Sequence, residues 1–261
     1  MVKIAIAGGT GQVARETIGA LVASGKHDIA ILSRGRNAPT DLPSGTKWQT
    51  VDYQDKHSLV QVLRGVHTLL SFVQLLSDPN QESQKNLIDA AILAGVTRFA
   101  PSEYGSKGTT DMGWWDGKQK IREYLEEVNR TEKVLEYTLF QPGLFLDYLA
   151  FPYKTATHVV PLQIGFNFER LRAMVVEGHE DAVMTLTTAA DLAAVVTRAV
   201  EYEGAWPTTS VGKVKLEDLE AGELKSPWDL EAVHKAVSPD EAPVFQKTVS
   251  IGFLLSSVKG A

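Results

Sequence analysis

Val2-Lys3-Ile4-Ala5-Ile6-Ala7 runs directly into Gly8-Gly9-Thr10-Gly11-Gln12-Val13-Ala14. The first six residues are apolar and partly β-branched, the pattern of a short buried strand. The next seven have the form G-x-x-G-x-x-A. A helical pattern over 11–23 follows, with Ile18, Leu21 and Val22 at helical spacing. In a strand–turn–helix of this kind Gly8 supplies the tight turn, Gly11 lets the backbone approach a pyrophosphate, and small Ala14 lets helix and strand pack closely. The helix N-terminus offers free N–H groups and the positive end of its dipole to phosphates. The spacing and placement predict a dinucleotide site rather than an ordinary glycine-rich turn.

Outward from this turn the same alternation continues. Gly25 stops the first helix, and 28–32 reads as a second strand. Pro39, Pro43 and Gly45 mark a loop, followed by a short strand at 48–51. A helix at 57–63 ends at Gly65, a strand covers 66–73, and a helix over 81–93 closes at Gly95. Strands at 97–100 and 135–140 and helices at 116–128 and 188–200 complete the series. A strand–helix unit every ~30 residues implies parallel strands with helices on both faces. The expected fold class is therefore α/β, a Rossmann-type doubly wound parallel sheet. Residues 144–175 and 201–261 are irregular and rich in aromatics and proline. They are expected to form a smaller C-terminal substrate lobe over the carboxyl ends of the strands, where ligands bind in open α/β sheets. The whole, 1–261, reads as one domain, with 1–143 mainly the dinucleotide part.

Composition narrows the function classes. A chain of 261 residues can bury a sizeable core. The absence of cysteine excludes a disulfide scaffold, thiolate metal sites and a cysteine nucleophile. With 26 Lys and Arg against 32 Asp and Glu, the net charge of −6 and the lack of a basic block argue against a nucleic-acid partner. The longest apolar run, 69–76, is too short to span a bilayer and contains Ser71 and Gln74. The first residues lack a signal-peptide layout. A cytoplasmic protein with a small-molecule partner is expected, with oligomeric state left open. The six histidines show no metal-ligand spacing, so no metal site is expected.

The end of the second strand distinguishes one dinucleotide from another. An acidic residue there would bind the ribose hydroxyl of NAD. This chain has Ser33-Arg34-Gly35-Arg36 instead. A guanidinium fork suits a 2′-phosphate, which favours NADP(H), with Arg34 ahead of Arg36. Asp52, after the third strand, is either an adenine contact or a turn-forming residue. The expected cofactor set is Gly8, Gly9, Thr10, Gly11, Gln12, Val13, Ser33, Arg34, Arg36, Asp52, Ser71, Phe72, Ser102, Glu103 and Lys118.

For catalysis, no tyrosine has lysine four residues on, so the common Tyr-x-x-x-Lys arrangement is not encoded. Trp114-Trp115-Asp116-Gly117-Lys118-Gln119 is more informative. Asp116 and Gln119 have capping-box spacing, which puts Lys118 in a first helical turn. The helix dipole and burial beside a tryptophan would both disfavour its ammonium form, lowering its pKa toward a range useful in general acid–base work. A solvated lysine on a charged helix is the alternative. Pro101-Ser102-Glu103-Tyr104-Gly105 follows a central strand, where site residues and turns are equally at home. Tyr104, Trp114, Phe145, Phe151, Tyr153, His158 and Phe166 are candidates for a substrate pocket, core packing being the alternative for the phenylalanines and Tyr153 and a plain loop residue the alternative for His158. Thr188-Ala189-Ala190-Asp191 reads as a helix start.

Together GGTGQVA at 8–14, LSR at 32–34, AGVTRFAPSEYG at 94–105, DGKQKIREYLE at 116–126, YTLFQPGLF at 137–145 and TTAADLA at 187–193 resemble the NmrA-like atypical short-chain reductases. That group includes the isoflavone and phenylcoumaran benzylic ether reductases, and the chain looks most like its fungal members. The resemblance implies NADPH in the Rossmann half, Arg34 at the 2′-phosphate and Lys118 as general acid or base. It implies hydride transfer to a small aromatic or phenolic molecule, often a secondary metabolite. It also implies a further strand and helix near 208–213, where this chain passes abruptly from TTSVG to KVKLED. Alternatives from the same family are a redox sensor without turnover and a cofactor-dependent isomerase or cyclase.

Overall fold

A computed structural model describes residues 1–208, 214–225, 238 and 240–259, apart from Pro79 and Thr109. Gly212 and its neighbours, where the resemblance implies a further strand and helix, lie outside these residues. The chain divides into two compact units, Met1–Thr209 and Ser210–Ala261.

The first unit is built on β1 (Val2–Ala7), α1 (Gln12–Ser24), β2 (His27–Ser33), β3 (Thr46–Thr50), α2 (Lys56–Leu63), β4 (Thr68–Ser71), α3 (Glu82–Ala94), β5 (Arg98–Ala100), α4 (Asp116–Val128) and β6 (Glu136–Tyr137). These six strands form one sheet in the order β3-β2-β1-β4-β5-β6. Every pairing in it is parallel. The sheet is a Rossmann-like doubly wound arrangement, as its periodicity predicts. The direction of strand addition reverses between β1 and β4, which opens a crevice beyond their carboxyl ends.

Alternation along β1 shows how the core is shared. Ala5 and Ala7 face a cluster with Leu59, Leu63, Leu87, Ile88, Ile121 and Leu125, which brings α2, α3 and α4 onto one face. Ile4 and Ile6 face the other cluster, with Ile18, Leu21, Leu192 and Val196. That cluster brings α1 and α5 (Ala189–Glu201) onto the opposite face. Period-two alternation feeding two helical layers is the reason both faces of β1 are apolar from Ile4 to Ala7.

Before α5 the unit adds short strands: β7 (Leu144–Phe145), β8 (Phe166–Asn167), β9 (Arg172–Ala173) and β10 (Leu186–Thr187). β7 pairs in parallel with β10, and β8 with β9 antiparallel. Thr188 caps α5, its Oγ1 accepting from Asp191 N at 3.0 Å, as the sequence spacing predicts. Asp116 differs from its expectation. It is the first residue of α4, Trp115 holds the cap position, and no side chain caps that end. Gln119 donates to Glu123 at 3.0 Å instead of reaching back to the cap. Lys118 is in the first turn either way.

In the second unit α6 (Leu216–Glu220) and α7 (Ala242–Lys259) are in contact. The sequence reads 242–259 as irregular, yet it is helical. Pro243 is tolerated because it sits in the first turn, where its missing N–H has no intrahelical partner. No helix among the described residues is long and apolar enough to cross a membrane.

Candidate functional site

Two clefts of about 540 and 570 Å³ lie along the carboxyl edge of the sheet and share Thr10, Gly11, Phe72 and Gln74. They form one groove over the β1–α1 turn. Gly8 has a left-handed φ of 72°, and a Cβ there would come within 2.7 Å of the Phe72 carbonyl oxygen. Only glycine allows β1 and β4 to close this turn. Gly11 stands at the N-cap of α1, so the free N–H groups of that helix open onto the groove. The cradle fits a pyrophosphate.

One end of the groove is polar. Ser33, Arg34, Asn37, Trp48 and Tyr53 line it. Arg34 is exposed at the end of β2, where a 2′-phosphate would lie. Tyr53, which the sequence reading did not single out, anchors this end from beneath. Its phenol accepts from Gly8 N at 2.9 Å and donates to the Leu32 carbonyl at 2.9 Å. Burial pushes this phenol up to about 12. The one available signal was its place beside Asp52, just after β3.

The other end is aromatic and holds the lysine. Phe72, Tyr104, Trp114, Trp115 and Tyr148 line it with Ser102, Glu103 and Lys118. Phe72 and Tyr104 stack at 4.2 Å between ring centroids, nearly parallel. Tyr104 continues the stack to Phe140 at 6.4 Å. The Lys118 amine donates to the Glu103 carbonyl and lies 3.8 Å from the centroid of the Trp115 ring. Its side chain reaches in past Gly105, where a Cβ would come 2.7 Å from Nζ. Lys118 is 4% exposed, and burial lowers its pKa to about 8, against an opposing pull from the Glu103 carboxylate. An amine with that proton affinity can both give and take a proton near neutral pH.

The expected residues divide between the groove and elsewhere. Gly8, Thr10, Gly11, Gln12, Val13, Ser33, Arg34, Phe72, Ser102, Glu103, Tyr104, Trp114 and Lys118 line it. Gly9 borders a small pocket behind the glycine turn, together with His158. Arg36 is exposed outside the groove lining. Asp52 forms the turn its alternative reading describes, accepting from Gln54 N at 2.9 Å. Ser71 is fully buried and donates to Gln84 at 3.4 Å. Phe145 packs in the core and Tyr153 is 71% exposed. Phe151 lies outside both clefts, and Phe166 stacks on Phe168 at 6.4 Å. Tyr148 and Trp115 take the places of these rings in the groove. Gln12 turns its side chain to the later chain, accepting from Val160 N at 3.0 Å.

Comparison with known proteins follows the same lines. The model of the NmrA-like family matches residues 2–251. The oxidoreductase swnN of Metarhizium robertsii is 30% identical over 285 aligned positions, covering 94% of this chain and 83% of that protein. The oxidoreductase BOA1 of Botryotinia fuckeliana is 35% identical over 156 positions, 58% of this chain. The aligned stretch spans 51%, about half, of BOA1. Among solved structures, a ternary complex of leucoanthocyanidin reductase from Vitis vinifera superposes with a TM-score of 0.58 at 17% identity. That match covers 77% of this chain and 64% of the grape chain. A binary complex of the same grape enzyme holds NADPH.

Proposed function

The chain belongs to the NmrA-like family, and on that premise we propose that it is an NADPH-dependent reductase of a small aromatic or phenolic molecule, secondary metabolites included. The observation that carries this reading is the placement of Lys118. It is a buried amine with its pKa lowered to about 8, at the aromatic end of a groove that starts on a glycine phosphate cradle.

The glycine turn and the N-terminus of α1 would hold the pyrophosphate, and Arg34 the 2′-phosphate. When bound, the reduced nicotinamide supplies a hydride. Phe72, Tyr104, Trp114 and Tyr148 provide flat apolar walls for a ring-shaped substrate and keep water from the lysine. Lys118 holds a proton at Nζ and delivers it to the substrate atom that becomes basic on reduction. Glu103 does not share this task, because its carboxylate is bonded by Arg122 and Gln141. Residues 144–175 and 201–261 are assigned to substrate recognition and 1–143 mainly to the dinucleotide. The fungal oxidoreductases and the NADPH complex of the grape reductase support the cofactor and the reaction class.

The test pairs binding with turnover. Lys118→Ala should lower kcat on a phenolic or quinone substrate by about 10²–10³-fold while leaving NADPH affinity within a few-fold by calorimetric titration. Native protein should bind NADPH more tightly than NADH, and Arg34→Ala should erase most of that preference. Equal affinity of the native protein for the two dinucleotides would sink the Arg34 assignment. NADPH binding with no oxidation across a broad phenolic and quinone panel would favour a sensor.

A further inference from the structure

Arg122 stands one turn beyond Lys118 on α4, and its guanidinium closes on both carboxylate oxygens of Glu103. Nε donates to Oε1 at 2.9 Å and Nη2 to Oε2 at 2.6 Å. Gln141 Nε2 donates to the same Oε2 at 2.9 Å. The third arm of Arg122, Nη1, donates to the Lys107 carbonyl at 2.9 Å. The Glu103 carboxylate is thus buried and held by three donors, from α4 and from the segment after β6. The carbonyl of the same residue is the acceptor of the Lys118 amine. Carboxylate and carbonyl sit on one residue, so holding the first restrains the second.

A pair of this kind is costly to bury unless its geometry is good, and here it is bidentate. Buried ion pairs can often be replaced by apolar residues of similar volume without loss of stability. What an apolar pair would lack is the set of hydrogen bonds that restrains residue 103, whose main-chain carbonyl meets Lys118, and two opposite charges beside the amine.

We propose that Arg122 and Glu103 are positioning residues for Lys118: a locked ion pair that aims the Glu103 carbonyl at the amine and balances the charge around it. The catalytic consequence rests on the reductase reading; the positioning itself does not. Burial is the main influence on Lys118, lowering its proton affinity; Glu103 raises it and Arg122 lowers it. The other titratable groups lining this end of the groove are the phenols of Tyr104 and Tyr148, both raised above the ordinary tyrosine range by burial. The 3-10 turn after β4 and the glycine turn contribute Gln74, Leu75, Leu76, Thr10 and Gln12, all uncharged. Asp116 and Lys120, on the same helix as Lys118, are exposed to solvent.

The two charges have opposite signs, so their removal has opposite effects. Arg122→Gln takes away a repelling cation and leaves the carboxylate unneutralised, which should raise the Lys118 midpoint by about one unit. Glu103→Gln should lower it. Arg122→Lys, which keeps the charge and loses the fork, should move it less than Arg122→Gln. The midpoint is read by NMR titration of protein labelled with [ε-¹³C]lysine, the Lys118 resonance assigned by its loss in Lys118→Met. NADPH affinity checks that each variant is folded. Shifts of the same sign in Arg122→Gln and Glu103→Gln, or no shift in either, overturn the proposal. If Glu103→Gln does not fold, the Arg122 variants decide. A Gln variant at the native midpoint, or a Lys variant displaced as far as the Gln one, overturns it. Turnover is scored separately, and the Lys118-dependent limb of its pH profile should follow the NMR midpoint. Opposite NMR shifts in a protein that reduces nothing uphold the positioning and sink the reductase reading alone.

Discussion

Lys118 is a basic side chain in a place that disfavours its charge, and this has a consequence for stability. Its pKa is about 8 in the folded chain against an ordinary 10.5. Between those values the unfolded chain binds the additional proton, so this residue's contribution to stability rises with pH across that window. At neutral pH the lowered proton affinity corresponds to a net cost on the order of 3 kcal/mol for keeping the ammonium in the fold, with burial its main cause. Lys118→Met should therefore be more stable than the native chain at pH 7 in urea denaturation, with the advantage shrinking toward pH 10. A variant less stable at pH 7 would show that the Glu103 carbonyl and Trp115 contacts outweigh desolvation. Tyr53 presents the opposite case, a buried group with all its bonds made. Gly8 N also reaches the Leu32 carbonyl at 3.1 Å, so Tyr53→Phe loses part of a shared network. A modest loss of about 1 kcal/mol is expected by the same measurement.

At the scale of elements, the ends carry the specificity of the fold. α5 has a capped start, with Thr188 accepting from Asp191 N and donating to its carboxylate at 2.7 Å. Thr188→Ala should cost about 1 kcal/mol, and Thr188→Ser much less. Arg98 ties β5 to the chain after α5, donating to the Tyr202 carbonyl at 2.6 Å and the Gly204 carbonyl at 2.5 Å, and to β6 by donating to Glu136 at 3.2 Å. These end contacts also mark how far the sequence could be read. The boundaries of β1, α1, α3, α4 and α5 were legible because periodic apolar residues meet punctuation at Gly25, Gly95 and Thr188. Lys118 was legible because its first-turn position does not depend on which residue caps the helix. The aromatic residues were not. Phe145 and Tyr148 are three residues apart and both aromatic, yet one packs in the core and the other lines the groove. The bidentate contact of Arg122 with Glu103 spans 19 residues, and no local pattern encodes it.

For the whole molecule, the order of the sheet decides where the groove runs. Because the strand order reverses between β1 and β4, the glycine turn lies at the middle of the carboxyl edge, with Arg34 to one side and Lys118 to the other. A ligand spanning both ends touches β1, β2, β4 and β5 loops at once, so it should stabilise the sheet as a unit. NADPH at a hundredfold excess over its Kd should add about 2.7 kcal/mol. This would appear as a rise in Tm by calorimetry that NADH at the same concentration does not match. Arg34→Ala should bring the two shifts together.

Tryptophans mark the two ends of that groove, Trp48 at the polar end and Trp114 with Trp115 at the aromatic end. Indole emits light at wavelengths that a reduced nicotinamide absorbs. The molecule thus carries an optical ruler along its own binding groove. If the nicotinamide lies beside Lys118, it should quench Trp115 more strongly than Trp48. Replacing each tryptophan by phenylalanine in turn would then report which way round the dinucleotide lies.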